Sequence, residues 1–331
     1  MKSHQAVIGL LGILAALIVT ATTVQSQEKN TTQATVQVHV VVTDEAVRGD
    51  SQVPTLQEGD VKVKQGKSFL KVDQLTPARG EDAALQLFIL IDDTLDTGVG
   101  NNLNDLKDFI SAQPASTLIG IGYMANATVQ VAQDFTADHS LAVNAVRLPR
   151  GNLSTMDSPY LSLISLVKGW PQEKVRREVL VVTDGIDRLR GTQRVQLGPS
   201  YSRTYHSLPV MSPDVNSASE VSQRHNVLVY SMYAVSVGRT GGNLRNAQIG
   251  LSGLNKLADE TGGRCFSLGT SSLVSFKPYL ERLQKNFDNQ YYVDFEVIPG
   301  KKEGFQRINV TTEVPNAEIA APDNVWVPAA K

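Results

Sequence analysis

The chain has 331 residues, 41% of them hydrophobic and 19% charged, with a formal net charge of −2 at neutral pH. It is long enough to bury a sizeable core, and so even a charge balance gives no ground for nucleic acid as a partner. A single cysteine, Cys265, excludes an intramolecular disulfide, so stability has to come from apolar packing.

In chain order, the opening stretch MKSHQAVIGLLGILAALIVTATTVQSQ runs from a short basic start through an unbroken apolar run into small and polar residues. This is the layout of a secretory signal peptide. Residues 1–26 are expected to be removed by cleavage after Ser26, which places the mature chain outside the cytoplasm, secreted or periplasmic. Retention as a membrane anchor is the alternative, with Ala6–Val19 extended by Thr20–Val24.

Residues 34–76 carry β character without helical period. TVQVHVVVTD alternates as a half-buried strand does, and GDVKVKQGKSFLKVDQL reads as a hairpin of two runs around Gln65-Gly66-Lys67. From 84 to 288 strands alternate with helices, and runs such as LFILI and VLVVT are those of strands covered on both faces. Within that region Leu189–Pro213 has no sustained period and is expected to be a long surface loop. The basic cluster KVRRE, Lys174–Glu178, is expected to be a solvated helix end. Cys265, in a short strand-like run, is expected to be a small core residue. Strands return in residues 289–327, and these are expected to pack with 34–76. The fold class expected is therefore α/β: a doubly wound, mostly parallel sheet with helices on both faces, plus a small β module built from the two outlying segments.

Ligands of a doubly wound sheet gather beyond the carboxyl ends of its strands, where strand order reverses. Two strands here end in carboxylates: FILI runs into Asp92-Asp93-Thr94-Leu95-Asp96, and VLVVT runs into Asp184-Gly185-Ile186-Asp187. Residues spaced by two in extended chain point the same way, so Asp92, Thr94 and Asp96 can share a focus with Asp184 if the two strands are neighbours. Such an all-oxygen set suits a hard cation, Mg²⁺ or Mn²⁺. The competing reading is a set of turn and cap residues.

LIDDTLD followed by a helix, with VVTDGID further on, resembles the von Willebrand factor type A domain. VQVHVVVTD, LQEGDVKVKQG, RREVLVVTDGIDR, LADETGGRCFSL and INVTTEVPNAEI are similar to stretches of secreted von Willebrand A-related proteins of Acidobacteria. The resemblance spans roughly residues 34 to 327. It implies a metal-ion-dependent adhesion site in which Asp92, Thr94, Asp96 and Asp184 are ligands, joined by a separate threonine, Thr155, with Ser154 as the alternative. The family's second loop serine is replaced here by Asp96. Each added pair of like charges at ~4–6 Å costs on the order of 3–4 kcal/mol at an effective dielectric near 20, which favours retention of a cation over capture of an acidic partner. The site is thus expected to be a degenerate one.

The function expected is that of a binding protein that performs no chemistry on its ligand. It would recognise a protein partner through loops 92–101, 151–158 and 184–213 at the carboxyl edge. A structural envelope protein without a metal site is one alternative. A metal-assisted hydrolase built on Asp92, Asp96 and Asp184 is another.

Overall fold

The structure is a computed structural model that describes residues 35–46, 53–171, 173, 175–196, 205–236, 244–271 and 273–329. The expected leader, residues 1–26, lies outside them. Among the described residues no helix is long and apolar enough to cross a membrane.

The central sheet has six strands in the order β12-β11-β8-β5-β6-β7. These are β5 (Leu85–Asp92), β6 (Thr117–Ala125), β7 (Thr128–Thr136), β8 (Arg176–Thr183), β11 (Val227–Tyr233) and β12 (Cys265–Phe266). All pair in parallel except the edge strand β7. Every residue of β5 and β8 is buried, because successive side chains go to opposite layers. Leu87, Ile89 and Ile91 of β5 pack with α1 (Gly100–Ser111), α2 (His139–Ala145) and α6 (Lys277–Asp288). Phe88 and Leu90 pack with α3 (Pro159–Gly169), α4 (Asp214–Arg224) and α5 (Leu244–Thr261). This is the doubly wound sheet with helices on both faces that the apolar runs predict.

The outlying β segments form two further four-stranded sheets, both antiparallel. One is ordered β15-β1-β13-β4, from β1 (Val36–Ala46), β4 (Val72–Pro77), β13 (Gln290–Val297) and β15 (Ala317–Ala320). The other is ordered β16-β14-β2-β3, from β2 (Val61–Gln65), β3 (Ser68–Leu70), β14 (Gly304–Thr312) and β16 (Asn324–Val327). Val40, Val42, Val293 and Phe295 of the first share a core with Val63, Val310 and Val325 of the second. Val41 and Tyr292 instead join the core of the α/β layer. The first sheet is therefore covered on both faces where Val41 and Tyr292 lie, and the half-buried strand read from TVQVHVVVTD is fully buried from Val40 to Asp44.

Three sequence readings need correction. The second run of the 59–75 hairpin is not one strand. It breaks at Lys71, so that β3 closes a two-residue turn with β2 at Gly66-Lys67 (Gly66 φ 60°) while β4 crosses to pair with β13. The segment expected as a structureless loop contains a two-stranded hairpin, β9 (Thr192–Gln196) against β10 (Tyr205–Pro209).

The third correction concerns the basic cluster, which is no solvated helix end: Arg176, Arg177 and Glu178 open β8 and are buried. Arg176 donates from Nη1 to Phe287 O (2.9 Å) and Gln290 Oε1 (2.7 Å), and from Nη2 to Ala83 O (2.7 Å). Gln290 in turn donates to Tyr230 Oη at 3.2 Å. A buried polar band thus ties the α/β layer to β13. Within it the Glu178 oxygens make no hydrogen bond, and burial, only partly opposed by the Arg176 charge, pushes the Glu178 carboxyl up to about 7.

Candidate functional site

β5 and β8 are adjacent, with Ile91 opposite Val182, and the chain leaves β5 for β6 on one side while β8 lies on the other. Strand order therefore reverses between them, and the two carboxylate-bearing ends lie at the place where such folds gather ligands.

Asp92, buried at the end of β5, has both oxygens engaged. Oδ1 accepts from the Thr94 amide (2.9 Å) and the Thr94 hydroxyl (2.7 Å), and Oδ2 accepts from the Thr183 hydroxyl (2.6 Å). Because the Thr94 hydroxyl spends its proton on Asp92, the Ser236 hydroxyl donates to it in turn, at 2.8 Å. Asp184 is fully buried as well. Its Oδ1 accepts from the Ile186 amide (2.9 Å), and its Oδ2 takes the Arg188 guanidinium (Nη2, 2.7 Å). Burial, and then the Asp184 charge, raise the Asp92 carboxyl above its ordinary range against the pull of Thr183, Arg188 and Thr94. Burial opposes the charge of Arg188, yet the Asp184 carboxylate holds the guanidinium above even its usual basicity.

The remaining acidic residues are structural. Asp93 points away from Asp92 and is gripped at both oxygens by Arg147 (2.7 and 3.1 Å) and by the Arg150 amide (2.9 Å). Burial works against its charge, but these donors hold the Asp93 carboxyl below the usual carboxylate range. Asp157 accepts from the amides of Asn126 (2.9 Å) and Ser154 (2.7 Å), while its carbonyl takes the Arg188 and Leu189 amides. Asp187 gathers the hydroxyls of Ser158 (2.9 Å) and Ser212 (2.6 Å), binding the loops around 158 and 212 to the strand end.

The residues read from the sequence as a cation set thus divide. Asp92, Thr94 and Asp184 come together at the switch point. Asp96 does not join them: its exposed side chain caps the following turn by accepting from the Gly98 amide (2.8 Å). Thr155 is exposed on the 151–158 loop, and its alternative, Ser154, accepts from the Met156 amide at 3.1 Å. As arranged, these donors do not fit a divalent cation, because every oxygen of Asp92 and Asp184 already accepts a hydrogen bond and one of them carries an arginine. Among the described residues no group of three or more Asp, Glu, His or Cys side chains is placed to hold a metal ion. Sequence reasoning missed Thr183, Ser236, Asp157 and Arg188. Only Arg188 left a signal, its spacing of four from Asp184.

Asp96 instead lines a neighbouring cavity of about 510 Å³, together with Val99, Asn102, Val235, Ser236 and Ser271. Ser236 belongs to both features, since its hydroxyl closes the chain to Thr94 and Asp92. Burial pushes the Cys265 thiol up to about 11.

Backbone approach fixes the Asp184 turn. Gly185 takes a left-handed conformation (φ 71°), and a Cβ on Gly250 of α5 would stand 2.1 Å from the Asp184 carbonyl oxygen. Gly250→Ala is therefore expected to cost about 1–3 kcal/mol through overpacking against rigid backbone, measured by urea unfolding. An unchanged midpoint would show that α5 can retreat from the turn.

No family model matches the chain, and no curated protein matches its sequence. Solved structures do show likeness. A von Willebrand factor type A protein from Catenulispora acidiphila is 11% identical with a TM-score of 0.43, over 90% of this chain and 75% of that one. An aerotolerance-related membrane protein from Bacteroides fragilis is 11% identical with a TM-score of 0.43, over 62% of this chain and 99% of its own. An ArnB paralog from Sulfolobus acidocaldarius is 10% identical with a TM-score of 0.35, over 89% and 76%. At such scores the overall superposition is loose, and what the site can do follows from its own side chains.

Proposed function

We propose that the chain is an extracytoplasmic protein-binding module that recognises a partner through the carboxyl edge of its six-stranded sheet and performs no chemistry on it. The cavity beside the strand ends carries this reading. Its wall is mixed, polar from Asn102, Ser236 and Ser271 and apolar from Val99, Val235 and Leu273, and it includes the exposed Asp96 carboxylate. The apolar side chains of Leu268 and Val274, on the segment that forms the cavity's far wall, are 59% and 89% exposed. An acidic group in a partly apolar cavity with exposed apolar neighbours complements a basic side chain set in an apolar segment. The apolar leader supports export, and the interlocked aspartates supply a rigid base under the loops.

Selection of a displayed random peptide library on the mature protein tests this. Enriched peptides are expected to carry Lys or Arg among apolar residues, and Asp96→Arg is expected to weaken their binding by at least roughly tenfold, about 1.4 kcal/mol. Enrichment of peptides that bind Asp96→Arg equally well would remove the cavity from the reading.

A further inference from the structure

We infer that Arg188 is a tethered cation that takes the place of a divalent metal at the switch point, so that the crevice is assembled without any ion. Three observations lead there. The guanidinium lies on Asp184 at 2.7 Å, with a side chain only 11% exposed, so it is a fixed internal charge and no solvated surface arginine. Its position is determined from both ends: the Arg188 amide is held by the Asp157 carbonyl (2.9 Å), and Nη1 also donates to the Ile186 carbonyl (3.1 Å). It also acts electrostatically on Asp184 and Asp92 at the two strand ends and on Asp157 of the 151–158 loop.

The local sequence explains the arrangement. After Asp184 the left-handed Gly185 turns the chain back, and the Arg188 guanidinium folds onto the aspartate four residues earlier. Two buried carboxylates at adjacent strand ends repel each other, and a positive charge held among them offsets that repulsion. A divalent cation supplies that charge only when bound. Arg188 supplies it permanently, and its planar fork satisfies a carboxylate as well as a backbone carbonyl. A metal arriving at the same place meets a resident cation and carboxylate oxygens already in use. Asp96, turned outward, cannot compensate.

Mn²⁺ alone is the probe. The parent is expected to show no saturable Mn²⁺ binding by calorimetry up to about 10 mM and no rise in melting temperature with it, whereas weak extracellular cation modules bind at ~0.1–1 mM. Arg188→Ala removes the resident charge and is expected to gain Mn²⁺ binding in that ~0.1–1 mM range, with a saturable rise in melting temperature. The double variant Arg188→Ala with Asp184→Asn is expected to lose both. Saturable Mn²⁺ binding by the parent, or a folded Arg188→Ala variant blind to Mn²⁺, overturns the inference. If Arg188→Ala does not fold, the pair Arg188→Lys and Arg188→Gln decides. Lysine keeps a charge and is expected to melt near the parent and ignore Mn²⁺, with glutamine melting lower. Equal melting of these two would show that the charge of Arg188 is not what holds the crevice together.

Discussion

Arg176→Ala is expected to remove about 3 kcal/mol or more of stability at pH 7.5, since each buried acceptor left without its donor costs about 1–3 kcal/mol. The deletion strands three acceptors at once, the carbonyls of Ala83 and Phe287 and the Gln290 amide oxygen. It also withdraws the cation that partly offsets burial of Glu178. Two comparisons separate these effects. At pH 5, where Glu178 is protonated in the folded protein, the loss is expected to be smaller, because no buried charge is left alone. Arg176→Met combined with Glu178→Gln is expected to lose less than Arg176→Ala does, since methionine refills the space and no buried carboxylate is left without its neighbouring cation. Urea unfolding at the two pH values measures both, and a loss independent of pH would show that the stranded acceptors carry the whole effect.

The parent is expected to grow less stable as pH rises from about 4.5 to 7. Glu178 has its folded-state pKa raised from 4.5 to about 7 by burial, and Asp44 has its own raised from 3.8 to about 7 by the same cause. The folded state therefore holds protons that the unfolded state has already released across that window. The stabilisation is complete below the unfolded pKa and disappears as pH climbs through the folded one. Glu178 alone accounts for about 2–3 kcal/mol between pH 5 and pH 7.5, at ~1.4 kcal/mol for each tenfold change. Asp93 acts in the opposite sense, since its pKa is lowered, but its contribution is lost only as pH falls below the ordinary carboxylate range and leaves this window untouched. Thermal melts from pH 4.5 to 8 check the direction. A stability maximum above pH 7 would mean that these buried acids are rehydrated or paired in solution.

The architecture was largely legible because burial on both faces of a sheet leaves a simple trace. LFILI and VLVV are apolar throughout, so the polar groups that follow them stand out in the sequence even though Asp92, Thr94, Thr183 and Asp184 are themselves buried. Asp92, Thr94 and Asp184 were legible for the same reason, as polar groups placed abruptly after buried strands. Asp96 was misleading: alternation holds only while the chain is extended, and at Asp96 it turns into a short 3₁₀ helix whose first amides need a cap. Arg176 and Glu178 were unreadable as core residues, since a charged run before a strand has the same composition whether water or Gln290 receives it. The β9–β10 hairpin escaped because TQRVQ holds a single apolar residue, too few to mark a face. The break at Lys71 was hidden because a single residue separates β3 from β4, and only their partners distinguish them.

The pairing of β4 with β13, in which Pro77 lies opposite Tyr291, has a consequence for biosynthesis. At about 5–20 residues per second, roughly 10–40 s separate the two on the ribosome. For that interval the valine-rich strand that becomes β1 has no ladder to join, since its partner β13 is made only at the interval's end and β15 after it. The intervening α/β layer can complete its own parallel sheet meanwhile, so the nascent chain carries a finished layer behind an open, apolar strand edge. Unpaired edges of that kind recruit other chains. β1 is thus made well before either of its partners, and the interval before residue 290 appears is when this apolar strand is most exposed to aggregation.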